Sequence, residues 1–105
     1  MTQRQQQVGA MLTRMAAEFF ARESNGTSLI TVTNSNISPD LKNAMLFLSV
    51  LPTTHEKAAL DFAKRARADF RNYLKSHSRL KSLPFIDFEL DYGEKNRQRV
   101  DDLTK

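Results

Sequence analysis

The spacing of apolar residues changes period near Ser28, and that change restricts the chain to a fold mixing helix and sheet. Before it, Val8, Met11, Leu12, Met15, Ala16, Phe19 and Phe20 advance in steps of 3, 1, 3, 1, 3 and 1. An α-helix turns about 100° per residue, so these side chains form one stripe. A helix with one buried face is predicted over about Gln5–Glu23. Ser24-Asn25-Gly26 follows, with Asn and Gly suited to the left-handed position that closes a helix.

Beyond Ser28 the period falls to two. Ser28–Ile37, SLITVTNSNI, is rich in β-branched residues and alternates at Ile30 and Val32. Ser38-Pro39-Asp40 interrupts it, because Pro39 has no N–H to give a ladder. Asn43–Leu51 is the second strand: Leu46, Leu48 and Val50 share one face, and Met45, Phe47, Ser49 and Leu51 the other. The short connection between the two strands predicts a hairpin.

The helical period then returns. Thr53 or Thr54 is suited to the cap, and Ala59, Phe62, Ala63, Ala66, Phe70, Tyr73 and Leu74 advance in steps of 3, 1, 3, 4, 3 and 1 to about Ser76. Pro84 opens a third strand, in which Ile86, Phe88 and Leu90 point in and Asp87, Glu89 and Asp91 point out. Phe85 stands outside that alternation, and Gly93 ends the strand. Glu94–Leu103 is compatible with a short polar helix or a frayed tail. The order α-β-β-α(-α)-β over 105 residues describes one α+β domain, a small sheet covered by helices on one face.

Several function classes find no support. With no cysteine, there is no disulfide framework and no thiolate metal site. The opening MTQRQQQVGAM has no apolar core of a signal peptide, and AMLFLSVL is too short to span a bilayer, so a soluble cytoplasmic protein is expected. His55 and His77 are isolated near predicted helix ends, where a solvated or capping role is the ordinary one. Asp87, Glu89 and Asp91 could approximate a hard-cation site, but strand alternation places charge on a solvent face in any case. The three glycines are scattered and form no phosphate loop. No catalytic residue, metal or cofactor is expected.

Charge carries the remaining signal. The net +4 divides into +1 over residues 1–50, +5 over 51–83 and −2 over 84–105. On a helical projection Lys64, Arg67, Arg71 and Lys75 fall within roughly 80° of arc, to the side of the apolar stripe. Arg65 adjoins them, and Arg79 and Lys81 continue the charge beyond the helix. Asp61 and Asp69 are the acidic residues placed to screen them. Such a row suits the phosphates of a nucleic acid, each contact releasing a counterion, and a solubilising face has the same composition. Anionic lipid is disfavoured, because the sheet needs the helix's apolar face.

The motifs around this helix resemble those of the bacterial ribosome-binding factor A family. Thr31-Val32-Thr33, Ser38-Pro39-Asp40-Leu41 and the run Ala44–Leu51 are similar to that family's T-V-T, S-x-D-L and A-x-V-[YF]-V-S-V-L, with Leu46 and Leu48 in the valine places. Val8-Gly9 stands where the family has R-V-G, with Gln7 replacing the arginine. Arg79-Leu80, Pro84-Phe85-Ile86-Asp87-Phe88 and Arg99-Val100-Asp101-Asp102-Leu103 resemble its R-L-R, P-E-L-x-F and R-I-E-E-L segments.

The resemblance implies a type II KH-like fold, α-β-β-α-(kink)-α-β, in which A-x-G at a helix kink replaces the usual G-x-x-G clamp. Here Ala66-Arg67-Ala68 occupies that place, so the glycine is absent; either the kink is weaker or the two helices run on as one. The family's K-D-P-R-like segment is also missing, with Ser24–Ser28 in its position. The implied function is non-catalytic: binding of free 30S subunits and 16S rRNA during late small-subunit maturation and 5′-end processing, with support of growth in the cold. Lys64, Arg65, Arg67, Arg71, Lys75, Arg79 and Lys81 are the expected RNA contacts, and a monomer is expected. A different reading stays open, in which the uncovered sheet face around Phe47 and Met45 docks a protein.

Overall fold

A computed structural model describes residues 2–23, 28–80 and 82–92. Helix α1 (Gln3–Glu23) leads into strands β1 (Leu29–Ile37) and β2 (Asn43–Leu51), a single 3-10 turn (Thr53–His55), helices α2 (Glu56–Arg65) and α3 (Arg67–His77), and strand β3 (Phe85–Leu90). The expected stop at Ser24-Asn25-Gly26, residue Lys81, and Gly93 with the segment Glu94–Leu103 lie outside the described residues.

The strands form one sheet in the order β1-β2-β3. The hairpin is antiparallel, but β3 runs parallel to β2. Parallel neighbours cannot be joined by a tight turn, so α2 and α3 supply the crossover. This leaves β2 central and, among the described residues, one edge of β3 without a strand partner.

Burial follows the alternation closely. Ala44, Leu46, Leu48 and Val50 of β2, and Ile86, Phe88 and Leu90 of β3, face the helices. Strand β1 breaks the rule: Val32 and Ile37 are both buried although five residues apart, which a regular strand would send to opposite faces. The register shifts between Val32 and Asn34, and this bulge at Thr33 restores Ile37 to the core opposite Ala44. Against the sheet lie Leu12, Ala16 and Phe20 of α1 with Ala63, Phe70 and Leu74 of α2 and α3. Phe20 meets Phe88 edge-on at 5.2 Å, and Phe70 meets Phe88 at 5.8 Å, so aromatic rings from three elements lock helices to sheet. Gly9 allows α1 to approach β1: a Cβ there would lie 2.6 Å from Ser35 Oγ.

The β1–β2 turn is built by Ser38 and Asp40. The Ser38 N–H donates to the Asn43 carbonyl at 2.9 Å, the Ser38 hydroxyl to Asp40 Oδ1 at 2.6 Å, and the Lys42 N–H to the same oxygen at 3.0 Å. Leu41 takes φ 62°, a left-handed conformation tolerated here because its side chain still packs on the core.

One local expectation is corrected and one open alternative is decided. Neither Thr53 nor Thr54 caps α2; both belong to the 3-10 turn, and His55 precedes the helix with no side-chain capping bond. The segment from Glu56 to His77 keeps the expected break and forms two helices rather than one. It breaks at Ala66, where φ −86° and ψ 4° flatten a turn. That region of backbone is open to any L-residue, so the break needs no glycine. The Ala66 N–H still reaches the carbonyls of Phe62 and Ala63 at 3.0 and 3.1 Å, so the bend costs little hydrogen bonding. A side chain larger than alanine's would not fit, because Ala66 is 7% exposed within the core.

Candidate nucleic-acid interface

The break at Ala66 brings the basic row beside β3. Lys64 ends α2 and Arg67 begins α3, and both turn toward Asp87 on β3: Lys64 Nζ lies 3.4 Å and Arg67 Nη1 3.2 Å from the same carboxylate oxygen, Oδ1. Arg67 is held twice more. Its Nε–H donates to the Lys64 carbonyl at 3.0 Å, and its guanidinium carbon sits 6.0 Å from the centre of the Phe85 ring. One turn on, Arg71 Nη1 donates to the Pro84 carbonyl at 3.2 Å. Lys64, Arg67 and Arg71 are therefore built into the rim of a cleft as well as charged.

That cleft, of about 390 Å³, is lined by Lys64, Arg65, Arg67, Ala68, Arg71 and Phe85, with Ile86 behind. Among the described residues no ion pair reaches Arg65, Lys75 or Arg79, and all three are exposed. Lys75 stands one turn beyond Arg71, and Arg79 follows the end of α3. The structure thus separates the expected contacts. Lys64, Arg65, Arg67 and Arg71 gather at one cleft; Lys75 and Arg79 extend the charge away from it; Lys81 lies outside the described residues.

The screening charge is not the one expected. Asp61 and Asp69 form no ion pair among the described residues, whereas Asp87 takes two cations. Partial burial pushes the Asp87 carboxyl up, but the Phe88 N–H at 2.8 Å, with Lys64 and Arg67, outweighs this and holds it below the usual aspartate range. Glu89 accepts from the Leu90 N–H at 3.1 Å, and Asp91, just beyond β3, accepts from the Thr33 hydroxyl, so all three acids are tied to protein groups.

Phe85 was the residue that alternation set aside. It is 60% exposed and lines the cleft, the one aromatic ring among the described lining residues, of which four are basic. His77 closes α3 by placing Nδ1 3.0 Å from the Tyr73 carbonyl, while its ring stacks on Tyr73 at 4.2 Å; His55 lies at the start of α2. No described helix is long and apolar enough to cross a membrane.

The family model of ribosome-binding factor A matches residues 4–104. The chain belongs to the ribosome-binding factor A family. It is 31% identical to the Coxiella burnetii ribosome-binding factor A across all of this chain and 90% of that protein. In fold it is similar to the crystal structure of ribosome-binding factor A from Thermus thermophilus, with a TM-score of 0.72, 23% identity, and coverage of 82% of this chain and 94% of that one. It is also similar to a homology model of Thermus thermophilus ribosome-binding factor A fitted into a cryo-electron-microscopy map of its 30S complex: TM-score 0.69, 24% identity, 79% of this chain and 90% of that one. The α+β, KH-like order expected from the sequence is thus the fold of these relatives, and this chain forms its own helix break with alanine at positions 66 and 68.

Proposed function

We propose that this chain is a non-catalytic assembly factor that binds free 30S subunits through 16S rRNA, assisting late small-subunit maturation and processing of the 16S rRNA 5′ end. The observation that carries this reading is family membership, with a homology model of a Thermus thermophilus relative fitted into a 30S complex. Residues 1–105 act as a single RNA-binding domain. The cationic surface supports it: four basic side chains converge on one cleft and two more extend from it, with Asp87 as the only acid they engage among the described residues. Contacts of this kind position a protein on RNA without reading sequence, so specificity comes from the shape of the particle.

Arg65, Lys75 and Arg79 are the contacts to test, because no ion pair ties them to the fold. The triple variant Arg65→Ala/Lys75→Ala/Arg79→Ala should lose co-sedimentation with 30S subunits while its thermal melt stays close to that of the parent. Full retention of 30S binding in that variant overturns the basic-surface reading.

The uncovered sheet face favours a second reading at one point. Leu29 and Leu51 pair across β1 and β2 and are 62% and 57% exposed, an apolar contact for a protein partner. Salt separates the two. Binding through several phosphates weakens steeply from low to physiological salt; docking through leucines barely responds.

A further inference from the structure

We propose that Phe85 is a stacking platform for an unpaired RNA base, so that the cleft between the helix break and β3 takes a single-stranded nucleotide rather than a duplex. This rests on the RNA-binding reading above and adds the class of RNA the cleft accepts.

An exposed phenylalanine has no hydrogen-bonding use, and the sheet does not need this one: the inward positions of β3 are Ile86, Phe88 and Leu90. Its backbone is fixed, with the Phe85 N–H donating to the Lys42 carbonyl at 2.8 Å. Arg67 is held beside the ring by Asp87 and the Lys64 carbonyl, at a distance where a guanidinium attracts an aromatic face. Arg67 is thus a positioning residue for Phe85. The ring stays 60% exposed with the Arg in place, lining a 390 Å³ cleft whose charged lining is entirely cationic.

An apolar flat surface ringed by cations matches a ligand that is itself flat, apolar-faced and anionic along its backbone. A nucleotide has that composition. Its base stacks on the ring, and its phosphates meet Arg65, Lys64 and Arg71. Duplex RNA offers phosphates but keeps its bases stacked on each other, so Phe85 gains nothing from it. An acidic peptide likewise satisfies the charges and leaves the ring idle.

The chain contains no tryptophan, so Phe85→Trp places a single indole reporter at the cleft. Full-length protein is titrated with a short oligoadenylate, with a blunt RNA duplex of equal charge, and with polyglutamate. Anisotropy of labelled oligoadenylate measures binding independently. The expected result is quenching of the indole by oligoadenylate and little change with the other two. Phe85→Ala and Phe85→Leu should weaken oligoadenylate binding by about 5- to 100-fold, and Phe85→Tyr should restore it. Salt-sensitive binding that Phe85→Ala leaves intact, or equal quenching by duplex or polyglutamate, overturns the stacking role and leaves the electrostatic reading standing. Absence of salt-sensitive RNA binding by the parent chain and by 30S sedimentation overturns both.

Discussion

Arg67 and Asp87 stand twenty residues apart in sequence and 3.2 Å apart in space, one at the start of a helix and one on the edge strand. Lys64 shares the same carboxylate oxygen. Asp87 is therefore a partial stand-in for phosphate. It gathers two cations into place while neutralising one unit of the charge that an RNA would otherwise meet.

Replacing Asp87 with Asn should release both cations. RNA binding is expected to tighten at low salt, and the salt dependence to steepen by about one to two units of log–log slope. Stability should fall by no more than about 1 kcal/mol, the scale of partly exposed ion pairs. Anisotropy titrations across salt, with urea unfolding alongside, measure both; an unchanged slope shows that Lys64 and Arg67 do not face the RNA.

Acid should weaken the fold through Asp87 and Asp40. The Ser38 hydroxyl, followed by the Lys42 N–H, holds the Asp40 carboxyl below the usual range, and Asp87 is lowered by the balance described above. A carboxyl lowered by folding stabilises above its unfolded pKa, about 3.9, and loses that contribution as pH falls through the folded value. The melting temperature should drop as pH falls below about 4. In Asp40→Asn/Asp87→Asn that drop should be shallower, which thermal melts by circular dichroism across the acid range would reveal.

Restoring glycine at the break should not help. Ala68 lies inside α3 and is exposed, so Ala68→Gly is expected to cost up to about 1 kcal/mol in helix propensity. Ala66→Leu should cost more, about 1–3 kcal/mol, because it overfills a packed site. Urea denaturation ranks the two, and equal losses would place the strain elsewhere.

Gly9→Val tests the contact of α1 with β1. A Cβ alone would press on Ser35 Oγ, with Ile37 Cγ1 at 3.4 Å beside it, and a serine hydroxyl can rotate away. A branched side chain leaves no such escape, so a loss of about 1–3 kcal/mol is expected. Gly9→Ala should lose far less, since its added helix propensity offsets the clash. The difference between the two unfolding midpoints is the measurement.

Much of this was legible because hydrophobic period is a local property. Asn43–Leu51 is bounded as its alternation predicts, and the stripe from Val8 to Phe20 faces the sheet as drawn. The bulge at Thr33 was not legible, since one inserted residue in a polar stretch leaves no trace in composition. The break at Ala66 was legible only through the family resemblance, because two alanines are ordinary helix formers and the apolar period runs through them unbroken. The contact of Lys64 and Arg67 with Asp87 depends on β3 being parallel to β2, which no spacing within any one segment encodes. Phe85 broke the alternation of its strand, and that irregularity was the available sign of the cleft.

The parallel pairing of β3 also makes the cleft a long-range feature of the fold. The helices and the hairpin are closed by contacts between neighbouring elements, whereas β3 joins β2 only across the two intervening helices. Until β3 adds to β2, the chain carries a row of positive charge with neither its counter-ion nor its aromatic ring. General attraction for RNA thus resides in the helices alone, and any preference for an unpaired base is expected to depend on the pairing of β3 with β2.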